Sequence, residues 1–285
     1  MKIGNVQIDS IDTGLFVLDG GSMFGVIPKT LWSKAYHPGD EKNRIPLSAR
    51  PLLLQFDNYK ILIDTGNGTK YDEKKIDIYN FDIAKSNPDN YLMRFGLTPR
   101  DITHVILTHL HFDHCGGSTI LNNGKIEPTF PNAKYYVQKE QFEHALNPTE
   151  KDAGSFFKDN YVPLKELGML ELLEGDCEIL PHISVITVNG HTPSMQMVKI
   201  TDDNKTLLFA SDLIPTNNYL RYSYIPAFDN RPLITLEEKK QFFPKIYEEG
   251  WIIALEHDIK YQACTIKPDA KGKGFVVDKE VIITE

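Results

Sequence analysis

The apolar run Val105-Ile106-Leu107 is followed at once by Thr108-His109-Leu110-His111-Phe112-Asp113-His114, which crowds three imidazoles and a carboxylate onto the end of one strand. A strand places His109 and His111, two residues apart, on one face. Continuing the chain as a loop lets Asp113 and His114 turn toward a second point a short distance away. One segment can therefore supply ligands to two adjacent cations. Imidazole with carboxylate suits zinc, iron or manganese better than calcium or magnesium. A merely solvated histidine-rich turn would have no reason to carry four ligand-type residues directly after an apolar strand.

The surrounding pattern alternates strands and helices. Val6 to Leu18 reads as two short strands, Pro51 to Phe56 and Lys60 to Ile63 as a hairpin around Asp57-Asn58, and Thr103 to Leu107 as a buried strand. Asn87-Pro88 is an N-cap followed by proline at the first helical position, so a short helix precedes that strand and leaves at Gly96. Lys134 to Val137 predicts a strand and Gln138 to Leu146 a helix. Ser184 to Val188, Met195 to Ile200 and Thr206 to Ala210 form another strand series. Thr235 to Tyr247 is helical in period, and Trp251 to Leu255 is a last buried strand. Three stretches rich in Gly, Pro, Asn or aromatics, Gly20 to Pro46, Gly66 to Ile83 and Asn217 to Pro232, read as loops of a length that usually serves function.

A chain of 285 residues with 41% hydrophobic content is expected to form one domain, residues 1–285, around one core. No apolar stretch approaches a membrane span, and the N-terminus lacks the apolar region of a secretory signal, so a cytoplasmic location with no membrane partner is expected. Cys115, Cys177 and Cys264 are odd in number and widely spaced, as reduced thiols would be. A net charge of −8 argues against a nucleic-acid partner, whose backbone calls for a basic footprint. A small neutral or weakly charged substrate fits better.

Three later residues extend the metal set: His191 in Val188-Asn189-Gly190-His191-Thr192, Asp212 in Phe209-Ala210-Ser211-Asp212, and His257 in Ile253-Ala254-Leu255-Glu256-His257. Each follows an apolar strand, and ligands at the ends of several strands converge on one edge of a sheet. His37, His104, His144 and His182 are left over and read as structural or exposed. Cys115 reads as a small packing residue.

With those residues in hand, the chain resembles the metallo-β-lactamase superfamily, whose signature is His-x-His-x-Asp-His followed by a distant His, Asp and His. The likeness extends from Leu62-Ile63-Asp64-Thr65-Gly66 through Gly96-Leu97-Thr98-Pro99-Arg100-Asp101-Ile102 to His257. It implies an α/β fold of the αββα sandwich type with the site at one edge. It also implies that a first metal takes His109, His111 and His191, that a second takes Asp113, His114 and His257, and that Asp212 bridges them. Asp64 resembles the carboxylate that steadies the ligand loop from behind. Asp19-Gly20-Gly21-Ser22-Met23-Phe24-Gly25-Val26-Ile27-Pro28-Lys29-Thr30-Leu31-Trp32 and Ser211-Asp212-Leu213-Ile214-Pro215-Thr216 are similar to YtnP-like quorum-quenching lactonases and the methyl-parathion-hydrolase-like branch. One position departs: small acyl-homoserine lactonases carry a tyrosine three residues after the bridging aspartate, where this chain has Pro215. Tyr222 or Tyr224 is the candidate replacement.

The resemblance implies two divalent ions, zinc first with iron, manganese or cobalt as alternatives, and a bridging hydroxide as nucleophile. Asp113 is the candidate to carry the proton to the leaving alkoxide. Met23, Phe24, Trp32, Tyr222, Tyr224 and Phe228 are expected around the substrate. The N-terminal loop of the resembling family often reaches a partner subunit, which suggests a homodimer. The function expected is a lactonase acting on an N-acyl-homoserine or related lactone. An aryl esterase or phosphotriesterase is the alternative, and a non-catalytic metal-binding protein is the reading from another class.

Overall fold

The computed structural model describes residues 1–202 and 204–284. Two seven-stranded sheets lie face to face. The first runs in the order Lys2–Ile3, Val6–Ser10, Leu52–Phe56, Tyr59–Ile63, His104–Ile106, Lys134–Gln138, Leu170–Leu173. The second runs Cys177–Leu180, Ile183–Val188, Met195–Asp202, Lys205–Phe209, Ile252–Ala254, Ala263–Pro268, Phe275–Val281.

Strand side chains alternate between faces, so each central strand feeds two apolar layers. Ile61, Ile63 and Ile106 meet Val185, Val198, Leu207 and Phe209 between the sheets. Leu62, Val105 and Leu107 turn outward to Tyr91, Leu92, Phe142 and Ala145 on the helices Pro88–Met93 and Lys139–Leu146. On the other side Met195, Met197, Leu208 and Ile253 pack under Phe242, Phe243 and Ile246 of the long helix Pro232–Glu248. The expected αββα sandwich is what the chain forms. Among the described residues, no helix is long and apolar enough to cross a membrane.

Parallel pairing positions the site. Tyr59–Ile63 and Lys134–Gln138 both run parallel to His104–Ile106, and Lys205–Phe209 runs parallel to Ile252–Ala254. Chains leaving parallel strands leave at the same edge, where ligand sites of open α/β sheets gather. Asp64, His109, Asp212 and His257 all lie just past such strand ends.

Two expectations about local structure change. The residues after His111 form a helical turn, Phe112–Cys115, and it is this turn that separates Asp113 and His114 from His109 and His111. The stretch from Gly20 to Pro46 holds two short helices, Gly20–Phe24 and Lys29–Ala35, and most of the strand Arg44–Ser48; Glu73–Tyr79 is likewise helical. Helices this short are too brief to be stable by propensity and owe their form to packing, as Trp32 and Phe24 show by stacking with ring centroids 5.3 Å apart.

Candidate metal centre

Asp64 anchors the ligand turn. It sits at φ +57°, and its carboxylate accepts the Thr108 backbone N–H and the Thr108 hydroxyl, both at 2.7 Å. A non-glycine residue at positive φ is strained, and such strain persists where the surroundings over-determine it. Ser211, next to Asp212, is held the same way at φ +47°, with its hydroxyl donating to Thr108 Oγ1 at 2.9 Å.

The seven residues singled out in the sequence come together, all of them buried. His109 Nε2 and His191 Nε2 stand 3.0 and 3.1 Å from His111 Nδ1, forming one cluster. His114 Nε2 and His257 Nε2 face each other at 3.1 Å, with Asp113 Oδ2 at 3.9 and 3.7 Å, forming a second. Asp212 spans the two: its Oδ2 is 3.2 Å from His191 Nε2, and its Oδ1 is 3.1 Å from His257 Nε2.

The donor set fits two cations. His257 Nδ1–H donates to the Ser48 carbonyl at 2.8 Å, which leaves a lone pair on Nε2. His114 Nδ1 is directed to Asp64 at 3.0 Å and to Glu256 at 2.9 Å, which leaves its Nε2 lone pair facing that of His257. With both rings neutral, the two lone pairs converge on one point, where a cation would satisfy both. The first cluster is built alike, since His191 Nδ1 is directed to Asp229 Oδ1 at 2.8 Å and His109 Nδ1 to Thr108 Oγ1 at 3.1 Å. Asp212 Oδ1 is buried without a hydrogen-bond donor, as expected of an atom meant for a metal.

In the absence of metal, protons compensate. Burial holds the pKa of His109 and His111 well below 6.5, reinforced by the neighbouring imidazoles. Burial also disfavours charge on His114 and His257, but the carboxylates around them win: Glu256 and Asp212 hold His114 well above 6.5, and Asp212 lifts His257 to about 9. Asp212, although buried, is held well below the usual carboxylate range by His114, His257 and His191. A metal entering the centre must displace these protons.

Several positioning residues went unnoticed in the sequence. Glu256 is buried beside Asp64 and His114, and burial pushes its carboxyl up to about 7. Asp229 orients His191 and is itself held by the Thr235 hydroxyl at 2.6 Å. Glu238, on the long helix, accepts the Asn189 and Gly190 N–H groups just before His191. Glu256 adjoins His257 in the chain and Asp229 lies in the Asn217 to Pro232 stretch, so both carried a signal; Glu238 carried none.

The centre forms the floor of a cleft of about 290 Å³. Met23 and Phe228 line it, together with Leu18, Leu47 and Tyr79. Phe24, Tyr222 and Tyr224 do not. Phe24 is buried between Trp32 and Tyr219, its centroid 5.7 Å from that of Tyr219, because adjacent residues of a short helix point in different directions. Tyr224 packs edge-on against Phe24, and Tyr222 stacks on Phe243 of the long helix. Trp32 is likewise core. Of the spare histidines, His144 pairs with Asp152 at 2.6 Å behind Phe156, while His37, His104 and His182 are partly exposed. Cys115 is buried packing, its thiol donating to the Leu110 carbonyl.

Residues 46–249 match the metallo-beta-lactamase superfamily model, and this span contains six of the seven converging residues. The chain belongs to the metallo-beta-lactamase superfamily. Within the superfamily it is 29% identical over 182 residues to an N-acyl homoserine lactonase of Bacillus thuringiensis, an alignment spanning 63% of this chain and 66% of the relative, just under two thirds of that protein's length. A probable metal-dependent hydrolase from Staphylococcus aureus superposes with a TM-score of 0.87 at 29% identity, covering 99% of this chain and 100% of the other. An N-acyl homoserine lactone hydrolase, solved with the product N-hexanoyl-L-homoserine bound at its catalytic metal centre, gives a TM-score of 0.70 at 25% identity, covering 91% and 95%.

Proposed function

We propose that the protein is a lactonase that opens N-acyl homoserine lactones or related lactones at a two-zinc centre. The observation that carries this reading is the joining of two histidine clusters by Asp212 on the floor of an apolar cleft. The lactonase relatives support the choice of substrate. The proposal keeps the cytoplasmic homodimer expected from the sequence, and zinc ahead of iron, manganese or cobalt.

His109, His111 and His191 would hold one ion, Asp113, His114 and His257 the other, and Asp212 both. When bound, such a pair supplies a Lewis acid for the carbonyl and an activated water near neutral pH. The chain's own residues do the rest. Asp113 borders the cleft between the second cluster and the substrate space, where it can carry a proton to the leaving oxygen. Leu18, Met23, Leu47 and Phe228 exclude water and receive an acyl chain. Each buried methylene contributes about 0.8 kcal/mol, so two more carbons improve kcat/KM by up to roughly tenfold.

An aryl esterase or phosphotriesterase is the second reading, favoured by the rings of Tyr79, Phe112 and Phe228 along the cleft. Rates on hexanoyl-homoserine lactone, phenyl acetate, paraoxon and a glutathione thioester, measured side by side, separate these readings. The lactone should turn over fastest, the ester and phosphotriester more slowly. The thioester should hardly react, because among the described residues Lys151 is the only lysine or arginine lining the cleft to meet an anionic conjugate. A thioester that proved the best substrate would overturn the lactonase reading.

A further inference from the structure

Among the described residues, the Tyr79 phenol lines the cleft without a hydrogen bond to the protein. Tyr79 ends the helix Glu73–Tyr79, and its ring is gripped by Phe112 at 4.7 Å and Phe81 at 5.2 Å between centroids. Phe112 belongs to the ligand turn itself, immediately before Asp113. The phenol is therefore tied to the metal-binding turn even though the helix carrying it has no buried residue.

Three other tyrosines spend their hydroxyls on backbone carbonyls. Tyr71 donates to Asn67 at 2.6 Å, Tyr36 to Pro46 at 2.7 Å and Tyr219 to Met23 at 2.5 Å. Tyr79 has a half-buried ring on the cleft wall and makes no such bond among the described residues. Burial and the charge of Asp113 both raise its pKa above 10, so at neutral pH it keeps its proton. A protonated phenol with no protein acceptor among the described residues, lining the same cleft as Asp113, is a donor for an oxygen of the substrate.

We propose that Tyr79 is a catalytic residue whose phenol donates a hydrogen bond to the oxygen leaving the scissile carbonyl, next to Asp113. The proposal rests on the ester-opening reading above. It also gives the chain a phenolic donor despite Pro215, from a different element than Tyr222 or Tyr224, which pack away from the cleft. No bond is made or broken by Tyr79: the oxygen of water would bond to the carbonyl carbon, Asp113 would take a proton from that water and pass it to the leaving oxygen as the carbon–oxygen bond breaks, and the phenol would stabilise the charge on that oxygen.

Tyr79→Phe removes the hydroxyl and keeps the ring that packs on Phe112 and Phe81. With metal content equal to wild type, kcat on hexanoyl-homoserine lactone, whose alkoxide is a poor leaving group, should fall roughly 10- to 100-fold. On p-nitrophenyl acetate, whose leaving group needs little help, the change should stay below about threefold. A binding readout complements the rates. By calorimetry the ring-opened hydroxy acid should bind Tyr79→Phe about fivefold more weakly than wild type, while the same acid lacking the terminal hydroxyl should bind both proteins equally. Equal losses on lactone and aryl ester, or no loss on either, would overturn the role of Tyr79 and leave the lactonase reading intact. A wild-type protein with both metals that opens neither substrate would overturn both.

Discussion

Asp212→Ala is expected to lose at least one metal and at least about 10³-fold in kcat/KM, equivalent to roughly 4 kcal/mol of transition-state stabilisation. The size of the effect follows from position. The two oxygens of Asp212 reach separate clusters, at 3.2 Å from His191 and 3.1 Å from His257. Removing the carboxylate would take one donor from each cluster, together with the negative charge that any two cations held there would share. The same charge holds His257 protonated in the metal-free protein, so the substitution should also lower the His257 pKa. Metal content by elemental analysis and turnover on a lactone, with folding checked by circular dichroism, decide the matter. A variant that kept two metals and wild-type turnover would remove Asp212 from the centre.

Stripping the metals with a chelator should abolish turnover, and re-addition of zinc, manganese or cobalt should restore it. In the loaded protein the rate should rise with pH along a single ionisation near neutrality, as activated water requires. Stability should respond as well. A metal present at 1,000 times its Kd contributes about 4 kcal/mol to folding, so Tm should drop on chelation. The metal-free protein should then show its own pH dependence. His257 has an ordinary pKa of about 6.5 when unfolded and about 9 when folded. A raised histidine stabilises fully below the unfolded value, and that stabilisation is lost as pH climbs through the folded one. Tm of the metal-free protein should therefore fall between pH 6.5 and 9, while the gap to the metal-loaded protein widens. Activity indifferent to prolonged chelation, or a metal-free Tm that rose across that interval, would contradict the centre as described.

The convergence of the seven histidines and aspartates was legible in the sequence because each obeys a local rule. His109 to His114 is a contiguous turn after a buried strand, and His191, Asp212 and His257 each close an apolar run, so strand order alone carries them to one edge. The cleft wall was not legible, because it depends on side-chain direction within very short elements. Met23 and Phe24 are neighbours in a five-residue helix, yet Met23 borders the cleft and Phe24 enters the core. Tyr79 sits in a segment whose helix buries none of its residues, so no apolar period announced it. The strands Ala263–Pro268 and Phe275–Val281 escaped notice for a related reason: a register shift between Thr265 and Ile266 breaks the alternation that marks a strand. Glu256 and Asp229 act by holding imidazoles across the fold, 2.9 Å from His114 and 2.8 Å from His191, and such contacts leave no spacing to read.

If the protein is a lactonase, its two-cluster centre opens the ring of a lactone by adding water. Mass spectrometry of N-hexanoyl-homoserine lactone, incubated at neutral pH with the metal-loaded protein and with the chelated protein, tests it in one step. The loaded protein should convert it to the ring-opened acid, a gain of one water, and the chelated protein should show only the background rate. Intact lactone with two metals bound, or equal ring opening in both samples, would contradict it.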